Sequence, residues 1–193
     1  MMKSVLIAIR PQWAEKIAKG IKTIEVRKTA PQEVPFKCYI YETKGRTETP
    51  WVDEDGHFIY KGRGQVIGEF ICDKVDEYNF HNGLTEFNSM GLPSRNYGSY
   101  LIFTDDYKSM CLSYDEVKNY GRGKTLYGWH ISDFKIYDKP RELSEFSRPC
   151  SYSGLCFSCK RTSFKKDGNL LCNTKITRPP QSWMRVEDLG EEK

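Results

Sequence analysis

Four of the seven cysteines in this chain lie close together in its last quarter, with the spacing C-x5-C-x2-C-x12-C. They are Cys150, Cys156, Cys159 and Cys172. Two thiolates separated by two residues can hold one metal ion from a tight turn, and a second pair brought round by a turn at Asp167-Gly168 would complete a tetrahedral sulfur site. This donor set suits Zn²⁺ best, while an iron–sulfur cluster and four free thiols are the alternatives. Because few aliphatic residues surround the cluster, we expect one structural Zn²⁺ to hold this segment folded.

The cysteine segment is also basic. Residues 150–186 contain seven lysines and arginines against one aspartate, so their net charge is +6. The whole chain has a net charge of +4, so the remaining residues sum to −2. Four of these basic residues lie between the cysteines: Lys160, Arg161, Lys165 and Lys166. A basic segment attached to a nearly neutral body indicates contact with a polyanion, with these side chains on phosphates. A solvated tail without a ligand fits the same charge.

The overall composition excludes two classes of protein. With 38% hydrophobic and 13% aromatic residues among 193, the chain has enough apolar material for a core, which excludes wholesale disorder. The longest apolar run, residues 5–9, is far shorter than the roughly 18–20 residues of a membrane-spanning helix, and it is too short for a signal peptide. Cysteines in such a chain are expected as thiols or metal ligands, which favours a cytoplasmic location.

Periodicity predicts strands alternating with short helices. Strands are expected at 5–9, 22–27, 36–43, 65–75 and 126–137. Helices are expected from Pro11 to Gly20 and from Ser113, whose capping box is completed by Glu116, to Gly121. Residues 44–63 are expected to form a hairpin excursion, and 79–100 a loop with one short helix. This order favours an α+β fold, a mostly antiparallel β-barrel with short flanking helices over 1–145, followed by the four-cysteine metal-binding segment at 146–193.

Other candidate ligand-binding side chains stand on these elements. Trp13 lies on the first predicted helix and is a candidate for stacking on a base, although aromatic residues of small barrels more often pack in the core. His130 lies on the last predicted strand, where a structural hydrogen bond is the commoner role for a histidine than catalysis.

The run from Gly20 to Arg27 after a short helix has the pattern G-x-K-x-x-E-x-R. It resembles the signature of the ASCH domain, and the runs at 68–70, 128–132, 136–143 and 178–183 are similar to later segments of phage-type ASCH proteins. The resemblance covers most of residues 3–145 and the end of the chain. It implies a PUA-like β-barrel with a cleft that binds RNA or a modified nucleoside, in a phage or prophage type of protein.

The resemblance also implies site residues. Lys22 and Glu25 match positions that line the cleft, and Arg27 matches the basic position that anchors it. Relatives that act as acetylcytidine amidohydrolases have a threonine three residues after the lysine, and because Glu25 stands there in this chain, that hydroxyl nucleophile is absent. Relatives reported as ribonucleases use a tyrosine, a lysine and a serine from later strands. The residues that fit these positions are Tyr41, Lys44 and Ser132.

A lysine beside a glutamate in a partly buried groove would form an ion pair in which each group shifts the pKa of the other. Lys22 would then bind a phosphate or polarise a carbonyl, and Glu25 would accept a proton or a base N–H. Alternatively, Lys22, Glu25 and Arg27 form a salt-bridge network that only closes the barrel. Since Lys22 stands at a strand start, we expect its side chain to reach out of the barrel, and Lys22→Ala to weaken RNA binding without harming the fold.

Three functions are therefore open. The first is a module that binds RNA or a nucleotide in the cleft, with the basic zinc segment on the phosphates. The second is an enzyme of the same fold, a ribonuclease or an amidohydrolase of modified nucleosides. The third is a phage-encoded interaction protein whose cleft has no ligand.

The cysteine cluster yields a direct prediction. Purified protein should contain about one zinc per chain, as a single four-ligand site requires. Cys156→Ser removes one ligand and should lower the zinc content measured by elemental analysis. Cys111→Ser, outside the cluster, is the control and should leave it unchanged. A low zinc content that is the same in both variants would contradict the site.

Overall fold

The computed structural model describes residues 2–45, 51–52, 56, 58–59, 62–81, 84–89, 104–149, 162–164, 170–172 and 174–190. Its larger strands are β1 (Lys3–Ile9), β2 (Ile24–Arg27), β3 (Phe36–Glu42), β6 (Val66–Cys72), β7 (Val75–His81), β8 (Leu84–Ser89), β9 (Leu126–His130), β10 (Ser132–Arg141) and β13 (Trp183–Val186). Two short hairpins pair β4 (Trp51–Val52) with β5 (Phe58–Ile59) and β11 (Thr162–Phe164) with β12 (Leu170–Cys172). The helices are α1 (Pro11–Ala18), α2 (Thr104–Met110) and α3 (Tyr114–Gly121), with a 3₁₀ turn at Leu143–Glu145. Across these ranges, none of the helices has the length and apolar character needed to span a bilayer.

The strands form two sheets, which confirms the α+β class. One sheet has the order β10-β6-β3-β1-β13 and the other the order β2-β9-β7-β8. The pairs are antiparallel except for β1 with β3, which run parallel. The chain changes sheet between β1 and β2 and between β2 and β3. It changes sheet again at two short corners, between β6 and β7 and between β9 and β10.

These corners correct two sequence predictions. The strands expected at 65–75 and 126–137 are each two strands in different sheets. The corners are tied to each other, because the amide of His130 donates to the carbonyl of Lys74 at 3.0 Å. The thiol of Cys72 also donates to that carbonyl, at 3.2 Å. Apolar periodicity continues through both corners, so it carries no mark of the change of sheet.

The loop expected at 79–100 is also wrong over its first part. β7 continues to His81 and pairs antiparallel with β8. The intervening residues, Asn82-Gly83, are the commonest sequence of a two-residue hairpin turn. The strands are polar, and their alternation is therefore weak, but the turn sequence was a sufficient signal.

The core lies between the two sheets and continues on the outer face of the larger one. Phe36 meets Trp129 edge to face at 5.1 Å between ring centroids, which joins the sheets. On the outer face, Leu6 and Tyr39 pack with Phe146 and Ile176 from the chain beyond β10. A sheet covered on both faces explains why β1 and β3 are apolar in nearly every position.

The elements around the end of β1 form as expected. Pro11 starts α1, whose buried residues Ala14 and Ile17 face the core. Ser113 caps α3, and its side chain and that of Glu116 complete the predicted capping box. α2, which the sequence did not predict, packs against β2, and the amide of Thr23 donates to the carbonyl of Ser109 at 2.9 Å.

Gly128 shows how tightly the smaller sheet is packed. A Cβ at this position would lie 2.7 Å from Cε2 of Tyr78 and 2.9 Å from Cγ2 of Ile24. Gly128→Ala should therefore lower the free energy of unfolding by about 1–3 kcal/mol, the usual cost of overpacking a core. Gly128→Val should lower it further. Urea denaturation measures both, and unchanged stability in the valine variant would contradict this packing.

Candidate functional site

A cavity of about 440 Å³ opens where β1 ends, between α1, β2 and α3. Four sequence-predicted residues line it together: Trp13, Lys22, Glu25 and Arg27. The three charged residues among them are buried, even though they line a cavity. Its other side chains include Arg10, Glu116, Tyr120 and Gln181. The structure therefore brings the residues of the G-x-K-x-x-E-x-R pattern into one pocket with the first predicted aromatic residue.

The charged residues form one network centred on the Glu25 carboxylate. Oε1 of Glu25 lies 3.0 Å from Nη2 of Arg27, and Oε2 lies 3.4 Å from Nζ of Lys22. Nη2 of Arg27 also donates to the carbonyl of Ala8 at 2.7 Å. Nε of Arg27 is buried and has no hydrogen-bond partner among the described residues. Two cations around one carboxylate leave this network with a net positive charge.

Lys22 does not reach out of the barrel as expected, since only 3% of its surface is exposed. It precedes β2, and its ammonium donates to the carbonyls of Ile24 at 2.8 Å and Met110 at 2.6 Å. Met110 is the last residue of α2, where helix carbonyls have no partner within the helix, so Lys22 caps that end with a positive charge. Lys22 also lies 5.4 Å from the ring centroid of Trp13.

Burial lowers the pKa of Lys22, and the charge of Glu25 opposes this by raising it. The carboxylate and the two carbonyls occupy the three N–H donors of the ammonium. Lys22 therefore has a structural role in the site. Glu25 and Arg27 remain as the charged groups that can form hydrogen bonds with a ligand.

Tyr120 and Gln181 line the pocket but were not proposed from the sequence. Tyr120 stands near the end of α3 with 39% of its surface exposed, and Lys28 Nζ lies 4.9 Å from its ring centroid. Burial of its inner part raises the pKa of its hydroxyl. An exposed aromatic residue on a capped helix was the available signal. For Gln181 the only signal was its place in the run 178–183 that resembles an ASCH segment, and its position depends on β13 returning to pair with β1.

His130 lies at the corner between the sheets and does not line the pocket. Its Nε2 is 2.5 Å from Oδ2 of Asp76, a carboxylate that is almost fully buried, and Lys74 lies 3.1 Å from the same side chain. Burial acts to raise the pKa of Asp76, but the hydrogen bonds from His130 and Lys74 outweigh it and lower the pKa. These contacts give His130 a structural role.

The structure separates the residues matched to ribonuclease positions. Tyr41 and Lys44 line a second cavity of about 700 Å³. Ser132 lines neither cavity, and its hydroxyl donates to the carbonyl of Ile71 at 2.9 Å.

Most of the cysteine segment lies outside the described residues. This holds for Cys150, Cys156, Cys159, Lys160, Arg161, Lys165 and Lys166. Only the backbone of Cys172 is described, in β12, where it pairs with Thr162 of β11. No group of metal-ligating side chains occurs in the part of the chain that the structure does describe. The zinc site therefore stays a prediction.

The contacts of Lys22 predict the effect of removing its charge. Lys22→Met keeps the aliphatic stem but leaves two buried carbonyls without their donor, so the free energy of unfolding should fall by about 3 kcal/mol, as for a broken buried ion pair. Lys3→Met is the control, because Lys3 pairs with Glu33 at 2.6 Å on the exposed surface, where an ion pair contributes about 0–1 kcal/mol. Equal melting temperatures for the two variants would contradict a capping role for Lys22.

Comparison with known proteins identifies the fold that carries this pocket. No family model and no curated protein matches the chain. Among solved structures, the chain is similar to a crystal structure of ASCH from Zymomonas mobilis, with 15% identity, a TM-score of 0.51 and coverage of 96% of this chain and 88% of that one. A serine-to-alanine mutant of the Zymomonas mobilis protein gives 14% identity, a TM-score of 0.52 and coverage of 96% and 89%. The chain therefore has the fold of an ASCH domain, as its sequence resemblance implied.

Proposed function

We propose that the chain binds RNA through a single nucleotide held in the 440 Å³ pocket. The observation that carries this proposal is the buried Lys22–Glu25–Arg27 network on the wall of that cavity. A cavity of this size, with apolar walls and a few convergent polar groups, is typical of a small-ligand site.

The energetics of the network favour a ligand over a purely structural role. Removing three charges from water is expensive, and well-packed apolar residues often stabilise a fold as well as a buried ion pair does. The residues of the network differ in their roles. Lys22 is saturated by protein acceptors and supports α2, whereas Glu25 and Arg27 line the cavity with unused hydrogen-bonding capacity.

The remaining groups suit the parts of a nucleotide. The Glu25 carboxylate can accept an N–H from a base edge, and the Arg27 guanidinium can donate to a base oxygen or nitrogen beside it. Trp13 and Tyr120 supply aromatic faces for stacking. Arg10 is exposed at the end of β1, where its charge can meet a phosphate.

The ASCH fold supports this proposal, because the sequence resemblance to that domain implies a cleft for RNA or a modified nucleoside. The basic segment at 150–173 supports it also, since its charge suits phosphates. We propose that the four cysteines bind one structural Zn²⁺ and that this ion keeps the lysines and arginines of the segment together.

An enzyme of the same fold is the second candidate, and one observation favours it. Burial lowers the pKa of Lys22, and an amine with a lowered pKa beside a carboxylate is a frequent acid–base group. Against this, the three acceptors around Lys22 require its protonated form. We therefore propose RNA binding, and the same experiment measures whether the bound RNA is turned over.

Glu25→Gln tests the pocket, because it keeps the size of the side chain and removes its charge. The four ribonucleoside monophosphates would be titrated calorimetrically into the wild type and the variant. Affinity for the monophosphate that the wild type binds best should fall by roughly tenfold, the size of one base-edge contact. Glu69→Gln is the matched control, since Glu69 also joins a lysine, Lys37 at 3.8 Å, but lines a different cavity.

The melting temperature of each variant and the products recovered with RNA, with and without EDTA, complete this test. Loss of turnover with binding retained would favour the enzyme. If the wild-type protein binds neither a monophosphate nor RNA, the proposed function is wrong. The third hypothesis from the sequence, an interaction protein, then takes its place.

A further inference from the structure

The second cavity adjoins the first. Thr43, just after β3, lines both of them. The chain that leads into β13 does the same, with Pro179 on the second cavity and Pro180 on the first. The two cavities therefore share a wall, and one extended ligand that occupied both would pass over the ends of β1 and β3.

Lys44 supplies the second cavity with an available cation. Its side chain is exposed, and no described carboxylate pairs with its ammonium. Its stem lies against Gly64, where an added Cβ would be 2.6 Å from Cγ of Lys44. Gly64 has a φ of +71°, so both its conformation and its missing side chain make room for the lysine. The acid that lines this cavity, Glu142, accepts a hydrogen bond from the side-chain amide of Gln65 at 2.6 Å.

The basic segment leaves the fold beside this second cavity. The amide of Arg148 donates to the carbonyl of Thr174 at 2.9 Å, and Ser147 forms a β-bridge with Lys175. These contacts form a stem that holds the two ends of residues 150–173 side by side. Ile176 and Thr177, which follow the stem directly, line the second cavity. The sequence of this segment has four basic residues against one acidic residue.

We propose that the second cavity is a subsite for the neighbouring nucleotide, and that the ligand is a single-stranded oligonucleotide rather than a free nucleoside. Its backbone crosses Thr43, contacts Lys44 with a phosphate and continues toward the stem of the basic segment. This inference rests on the proposed function, because it assumes that the first pocket holds a nucleotide.

Affinity as a function of ligand length tests the proposal. Ribo-oligonucleotides of two to six residues, each containing the monophosphate that binds best, would be titrated beside that monophosphate. The dinucleotide and longer strands should bind roughly fivefold or more tightly than the monophosphate, as one further phosphate and base contact allows. The logarithmic salt slope for the longer strands should be steeper by about 0.7 for each added phosphate contact.

Two variants of Lys44 locate this gain. Lys44→Ala should lower the ratio of oligonucleotide to monophosphate affinity and reduce the salt slope by about 0.7, and Lys44→Glu should lower the ratio further. Lys135→Ala is the matched control, because Lys135 is also exposed and lines the cavity that contains Glu69, away from both subsites. Melting temperatures verify that each variant folds.

The outcomes separate the two proposals. Equal affinity for the monophosphate and all longer strands overturns the second subsite and leaves the first pocket standing. A gain with length that Lys44→Glu does not reduce, or that Lys135→Ala reduces as much, also overturns it. Absence of binding to every ligand overturns the proposed function itself, and the subsite with it.

Discussion

The carboxylate of Glu25 is the contact on which the pocket depends. Through Lys22 it reaches the last carbonyl of α2, and through Arg27 it reaches the carbonyl of Ala8 near the end of β1. One buried negative charge therefore joins three elements that are distant in the sequence. Without it, two buried positive charges would lie close together with no counterion, and the free energy of unfolding would fall strongly. The cavity keeps its shape because moving any of these elements would expose the imbalance.

Local patterns in the sequence were enough for the elements that lie next to this pocket. Pro11 favours a helix start through its fixed φ and missing N–H, and the capping box of Ser113 and Glu116 does so by short-range hydrogen bonding. Both effects are local, so α1 and α3 form where they were expected. The corners between the sheets are different in kind. The bonds that create them join Lys74 to His130, residues far apart in the chain, and no local periodicity reports such a contact. The continuous apolar runs therefore hid two changes of sheet.

The site was predictable in its membership but less so in its geometry. The pattern from Gly20 to Arg27 identified the residues of the network, and the structure brings them together with Trp13. The orientation of Lys22 could not be deduced, because its acceptor at Met110 belongs to a helix that the sequence did not predict. The separation of Tyr41 and Lys44 from Ser132 also depends on tertiary structure, since β3 and β10 join the same sheet with β6 between them.

The stem at Ser147 and Lys175 has a consequence for how this chain can vary. Because the backbone just before residue 150 is already paired with the backbone just after residue 173, this pairing does not depend on what lies between them. Loop-closure entropy changes by only about 0.6 kcal/mol for each doubling of loop length. The segment can therefore be lengthened, shortened or exchanged in evolution at little cost to the two sheets.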